Sequence, residues 1–120
     1  TRFINTNESK ATPEYRQMII DAGASDVVYT AAISGVHANF LGASLKAAGI
    51  TEEDLKKDRK IDFGKELDTE AKAWKTIWSA GQGSALITDT LPVAELVSHL
   101  KSEFKEAVEE QIKVLENYPK

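Results

Sequence analysis

Cysteine is absent from the 120 residues, which excludes disulfide staples, thiolate catalysis and cysteine-ligated metal sites together. Stability must therefore come from packing. Long apolar runs are absent too. Nowhere do about 18 apolar residues follow one another to cross a bilayer, and the opening Thr1-Arg2-Phe3-Ile4-Asn5-Thr6-Asn7 lacks the basic-then-apolar pattern of a secretory leader. The expected address is the cytoplasm. Positive charge is in deficit: 15 Lys and Arg against 19 Asp and Glu leave a net charge of -4 and a pI near 5.2, which argues against a nucleic-acid surface. The densest basic stretch, Lys56-Lys57-Asp58-Arg59-Lys60, is short and broken by Asp58, and reads as a solvated loop. An initial methionine is lacking as well, and Arg2-Phe3-Ile4 opens the chain as a strand cut in mid-course would.

What is present suits one folded domain, since 42% hydrophobic and 28% charged residues exclude a disordered composition. Thr12-Pro13-Glu14 is a helix start: the threonine can cap free N–H groups, proline suits the first helical position, and glutamate complements the dipole. Tyr15, Met18, Ile19 and Ala22 then share one face, and Gly23 is expected to end the helix in a left-handed conformation. Asp26-Val27-Val28-Tyr29-Thr30 is short and β-branched and reads as extended. Phe40, Leu41, Leu45 and Ala48 keep helical spacing with Gly49 as the stop, and Thr51-Glu52-Glu53-Asp54 resembles a capping box that opens a short helix through Leu55.

Residues 58–68 read as a surface loop around Gly64. Thr69-Glu70 then caps a helix carrying Ala71, Trp74, Ile77 and Trp78, which runs into the small-residue turn Ala80-Gly81-Gln82-Gly83-Ser84. Last comes a long amphipathic helix, with Thr90 expected as cap and Pro92 in its first turn. Its stripe of Val93, Leu96, Val97, Leu100, Phe104, Ala107, Val108, Ile112 and Leu115 extends for roughly 35 Å at 1.5 Å per residue. No βαβ alternation appears, so the chain as it stands reads as mainly helical.

Few side chains suggest chemistry. His37 and His99 form no metal-spaced pair and stand beside no nucleophile motif; His99 fits a surface position on the last helix, while His37, in a glycine-bearing turn, fits either a turn or a ligand-facing role. Trp74 and Trp78 lie one helical turn apart, as core aromatics do. Their nearness to Gly81-Gln82-Gly83 also allows them to wall a flat aromatic ligand, with Gln82 offering a donor and acceptors where the backbone is bare. Gly81-x-Gly83 is too short for a dinucleotide fingerprint. The pairs Glu52-Glu53 and Glu109-Glu110 lack the burial that catalytic carboxylates need.

Several blocks together resemble one family. Thr1-Arg2-Phe3 is similar to the segment that closes the last barrel strand in nitronate monooxygenases (2-nitropropane dioxygenases) and in the related flavin-dependent enoyl-acyl-carrier-protein reductases. Residues Tyr29 to Leu41 are similar to the segment after the family's inserted helix. Ala73-Trp74-Lys75-Thr76-Ile77-Trp78-Ser79-Ala80-Gly81-Gln82-Gly83, followed by Pro92-Val93-Ala94-Glu95-Leu96-Val97, is the most specific match. The resemblance implies the C-terminal part of a (β/α)8 TIM barrel that binds FMN, a fold that needs about 250 residues. On that reading residues 1–4 end the last strand, 12–57 are a helical insertion, 58–68 a loop and 69–120 the terminal helices. The missing N-terminal barrel portion is the implied partner, and the substrates are an alkyl nitronate and dioxygen, converted to a carbonyl compound and nitrite.

The same resemblance assigns Thr1, Gly81 and Gln82 to cofactor binding, Thr1 at the step that helps hold the FMN phosphate. No catalytic residue and no metal ligand are expected here. The family's catalytic histidine lies on strands outside this sequence, and His37 does not take its place. Ser84-Ala85 stands where relatives commonly carry valine-glycine, a departure at the turn itself. Two other functions remain open at this point: enoyl-thioester reduction on the same barrel, and a self-standing helical module whose C-terminal stripe docks a partner helix.

Overall fold

The computed structural model describes residues 1–56 and 76–118, over which the chain is mostly helical with one small two-stranded antiparallel sheet. Helix α1 spans Pro13–Asp21 and begins as its sequence requires. The Thr12 hydroxyl accepts the Tyr15 N–H at 3.2 Å, with Pro13 in the first turn. The face read from the sequence is the inner one: Ile19 and Ala22 are buried, with Tyr15 and Met18 half-buried against the same cluster. The exit differs from expectation. Ala22 leaves in an extended conformation and Gly23 has φ -77°, so no left-handed residue ends the helix. The Gly23 N–H instead donates to Asp26 Oδ2 at 2.8 Å, closing the 3-10 turn Ala24–Asp26 that feeds directly into the next strand.

Strand β1 is Val27–Thr30, where an extended segment was expected, and it pairs with β2, Ala38–Leu41, in the register Val27 to Leu41 and Thr30 to Ala38. Here the helical reading of Phe40 and Leu41 is corrected, because helix α2 starts only at Gly42 and spans Gly42–Ala47. The reason is that both neighbours are buried but on opposite sides, as strand geometry demands. Phe40 packs with Ile33, Leu45 and Ile77, whereas Leu41 packs with Ile19, Ala22, Ala80 and Ile87. Strand β2 is thus shared by two apolar clusters, and each full burial is worth about 1.5–3 kcal/mol.

Gly49 ends the α2 region as read from the sequence. It has φ +77°, and the bonds Gly49 N–H to Lys46 C=O and Ile50 N–H to Leu45 C=O, both 3.0 Å, close the turn. Helix α3, Glu52–Leu55, opens with the expected capping box: the Asp54 N–H donates to Thr51 Oγ1 and the Thr51 N–H to Asp54 Oδ2. Residues 12–56 are therefore helices around a hairpin, of which the sequence pattern predicts the first strand and not the second. The loop expected at 58–68, the helix start at Thr69 and the side chain of Trp74 lie outside the described residues.

The first residues also depart from expectation. Arg2–Ile4 is a 3-10 turn, closed by Ile4 N–H to Thr1 C=O at 2.9 Å and Asn5 N–H to Arg2 C=O at 3.2 Å, not the end of a strand. Its backbone groups are thus paired within the turn. Extended pairing comes only as the single parallel bridge between Thr6 and Leu91.

Helix α4, Val93–Glu116, follows with Pro92 at its N-cap rather than Thr90. Proline has no side chain to cap with; the Glu8 carboxylate instead accepts the Val93 N–H, both oxygens at 3.0 Å, and places negative charge at the helix's positive end. Of the apolar stripe only Leu96 is buried. Leu100, Phe104, Val108, Ile112 and Leu115 are 38–72% exposed. The Cα radius of gyration is 18.8 Å, against about 14 Å for a compact domain of this length. No helix among the described residues is long and apolar enough to cross a membrane.

Candidate functional site

The segment Ile77–Gly81 is positioned from two sides. From β2 and α2, the Leu41 N–H donates to the Trp78 carbonyl at 2.8 Å and the Trp78 N–H donates to Ser44 Oγ at 3.0 Å. Ser44 is fully buried, and its hydroxyl donates in turn to the Leu41 carbonyl at 2.8 Å. From α1, the Tyr15 ring stacks on Trp78 with centroids 5.0 Å apart and planes 17° from parallel, and the Tyr15 hydroxyl donates to the Ser79 carbonyl at 2.5 Å. Burial pushes the Tyr15 hydroxyl above the usual tyrosine range, so it stays a protonated donor. Ile77 and Ala80 point into the core, and Ser79 is exposed.

Past this anchored stretch the backbone meets the start of the chain. The Gly81 N–H donates to Thr1 Oγ1 at 3.0 Å, joining residues 80 apart in sequence. Thr1, Ile4, Tyr15, Asn39, Ser79 and Gly81 line an open concavity of about 370 Å³. Two of the three residues assigned to the cofactor, Thr1 and Gly81, are therefore brought together. Gln82 is exposed, opens the 3-10 turn Gln82–Leu86, and does not line that concavity. Glycine is not sterically demanded at either turn position: a Cβ on Gly81 would meet Thr1 Oγ1 at an ordinary 3.8 Å, and one on Gly83 would meet nothing within 4 Å.

The other candidates lie elsewhere. His37 is exposed and stacks on Tyr29 at 4.9 Å, in the turn between the strands where Gly35 has φ +68°. His99 is on the surface of α4, 3.9 Å from Glu95. Trp78 is half-buried against Tyr15, which fits its packing role.

Sequence reasoning missed the part played by Tyr15, which was read only as a face residue. A tyrosine rather than a phenylalanine on an apolar face was the available signal, because a buried hydroxyl needs a partner. Ser44 gave no such signal, since its partner lies 34 residues away.

No protein-family model matches the chain. A nitronate monooxygenase of Paraburkholderia phytofirmans is 34% identical over 118 residues, 92% of this chain and 32% of that protein. Among solved structures, a FabK point mutant of Thermotoga maritima superposes with a TM-score of 0.65 at 26% identity, covering 94% of this chain and 34% of its own. A second FabK structure from that organism has the same fold, with a TM-score of 0.63 at 24% identity over 93% of this chain and 37% of its own. The chain spans about a third of the length of each. The resemblance to nitronate monooxygenases read from the residues is thus matched by a curated relative of that name.

Proposed function

We propose that this chain is the C-terminal part of an FMN-dependent nitronate monooxygenase, which oxidises alkyl nitronates with dioxygen to carbonyl compounds and nitrite on a TIM-barrel scaffold. The observation that carries the reading is the 34% identity, over nearly the whole chain, to the Paraburkholderia phytofirmans protein of that name. The meeting of Thr1 and Gly81 supports it, because these are residues that the resemblance assigns to the flavin.

The residues in hand fit one wall of a flavin mononucleotide site. Thr1 offers a hydroxyl and Gly81 a backbone without a side chain at the rim of the concavity. No Lys or Arg among the described residues lines that wall. Arg2 is committed to the Leu86 carbonyl and Glu103, and Arg16 to the Thr6 carbonyl, so the phosphate charge must be met mainly from the rest of the protein. Bound FMN would supply the electron transfer between nitronate and dioxygen. Thr1 and Gly81 would hold the cofactor, Gln82 would stand at its margin, and the stacked Tyr15 and Trp78 would keep water from the underside of the turn. On this reading the stripe Leu100, Phe104, Val108, Ile112 and Leu115 packs against the portion of the enzyme that this chain does not cover. Such packing contributes about 1.5–3 kcal/mol for each side chain fully buried.

The complete protein tests the proposal. Its visible spectrum should carry flavin absorption, and an alkyl nitronate with dioxygen should release nitrite. A colourless protein, or a flavin-loaded one that releases none, rejects it. The solved structures that share this fold bear a different name, FabK, which favours keeping a second flavin reaction on the same scaffold in view. Turnover of an enoyl thioester with NAD(P)H, without nitronate oxidation, would establish that one instead.

A further inference from the structure

The Gly81 N–H itself donates to Thr1 Oγ1, and the backbone leading to it has two earlier anchors of different reach. Leu41 and Ser44 grip only Trp78, whereas Tyr15 reaches Ser79, two residues before the Gly81 amide. We infer that Tyr15 is the positioning residue for the Gly81 amide, and through it for the flavin-facing rim of the concavity. The flavin part of this inference rests on the nitronate monooxygenase reading.

Three observations carry it. The stack on Trp78, at 5.0 Å and 17°, holds the ring in one plane and so aims the hydroxyl. The bond to the Ser79 carbonyl, at 2.5 Å, spans 64 residues of sequence and adds an anchor from α1 between the grip on Trp78 and the Gly81–Thr1 bond. Tyr15 also lines the concavity beside Thr1 and Gly81, so a shift of its ring or of the Ser79 carbonyl alters the rim itself. Phenylalanine would fill the same volume and keep the stack. The hydroxyl is therefore the separable part, and it touches backbone rather than any reacting atom.

The test is Tyr15→Phe in the complete protein, read by amide hydrogen exchange, by FMN affinity and by thermal melting. Exchange at Gly81 should quicken about tenfold and the FMN Kd should rise about fivefold, the scale of one net hydrogen bond. The amides of Ile19 and Leu45 in the two cores should keep their protection, which a general loss of stability would not allow. Unchanged exchange at Gly81 overturns the inference, as does a rise shared equally by Ile19 and Leu45. Faster exchange at Gly81 with unaltered FMN affinity overturns the link to the cofactor. A wild-type protein that binds no FMN defeats the nitronate monooxygenase reading instead, and the Gly81 exchange rates still decide the role of Tyr15.

Discussion

Replacing Ser44 by alanine removes one oxygen that serves two backbone groups on different parts of the chain. The hydroxyl accepts the Trp78 N–H at 3.0 Å and donates to the Leu41 carbonyl at 2.8 Å, with no solvent exposure at Ser44. Each lost bond costs about 0.5–1.5 kcal/mol net, and the Trp78 N–H left without its acceptor adds an unsatisfied donor worth about 1–3 kcal/mol. Against this, alanine is the better helix former by about 0.5 kcal/mol. The expected loss is about 2–5 kcal/mol. Urea unfolding of the complete protein followed through tryptophan fluorescence measures it. Ser44→Cys, close in volume but a weak hydrogen-bonding partner, separates hydrogen bonding from cavity effects. The direct bond from the Leu41 N–H to the Trp78 carbonyl survives in both variants, so the segment should loosen without leaving its place. A Ser44→Ala protein within about 0.5 kcal/mol of wild type refutes the reasoning, because it would mean that the Trp78 N–H finds another partner.

Two further outcomes follow from the same geometry. Glu8→Ala strips the carboxylate from the first turn of α4 and should cost about 0.5–2 kcal/mol, with helix fraying at Val93 to Leu96 seen as faster amide exchange. Glu8→Gln should retain part of that protection. Because burial raises the Tyr15 hydroxyl above its unfolded value, the folded state favours the protonated phenol. Its contribution is fully present below the unfolded value of about 10 and is lost as pH rises through the higher folded value. Unfolding free energy measured from pH 9 upward should therefore fall less steeply in Tyr15→Phe than in wild type, and parallel slopes would contradict the assignment.

Local chemistry was legible in the sequence and distant partnership was not. Thr12 and Thr51 cap helices because each needs only a backbone N–H three residues ahead, and Gly49 stops a turn because its own φ is positive. Strand β2 was hidden because Phe40 and Leu41, spaced from Leu45, satisfy a helical pattern as well as a two-sided strand. The cap of α4 was misread at Thr90 because its acceptor, Glu8, is 85 residues away. Thr1 and Gly81 entered as a pair only through family likeness, since neither residue type signals the other. The Arg2–Ile4 turn gives no signal for a related reason: three residues carry no periodicity, and what closes them is backbone hydrogen bonding to Thr1 and Arg2.

The ties between residues 1–8 and the last third of the sequence bear on the order in which this part of the protein folds. Arg2 reaches Leu86, Asn5 reaches Leu91 and Glu8 reaches Val93, so each of these bonds closes a loop of more than 80 residues. Loops of that size close late and slow assembly. Asn5 and Thr6 meanwhile bond Arg16 on α1 across only about ten residues, so residues 1–8 settle on α1 over a short loop and take up α4 over a long one.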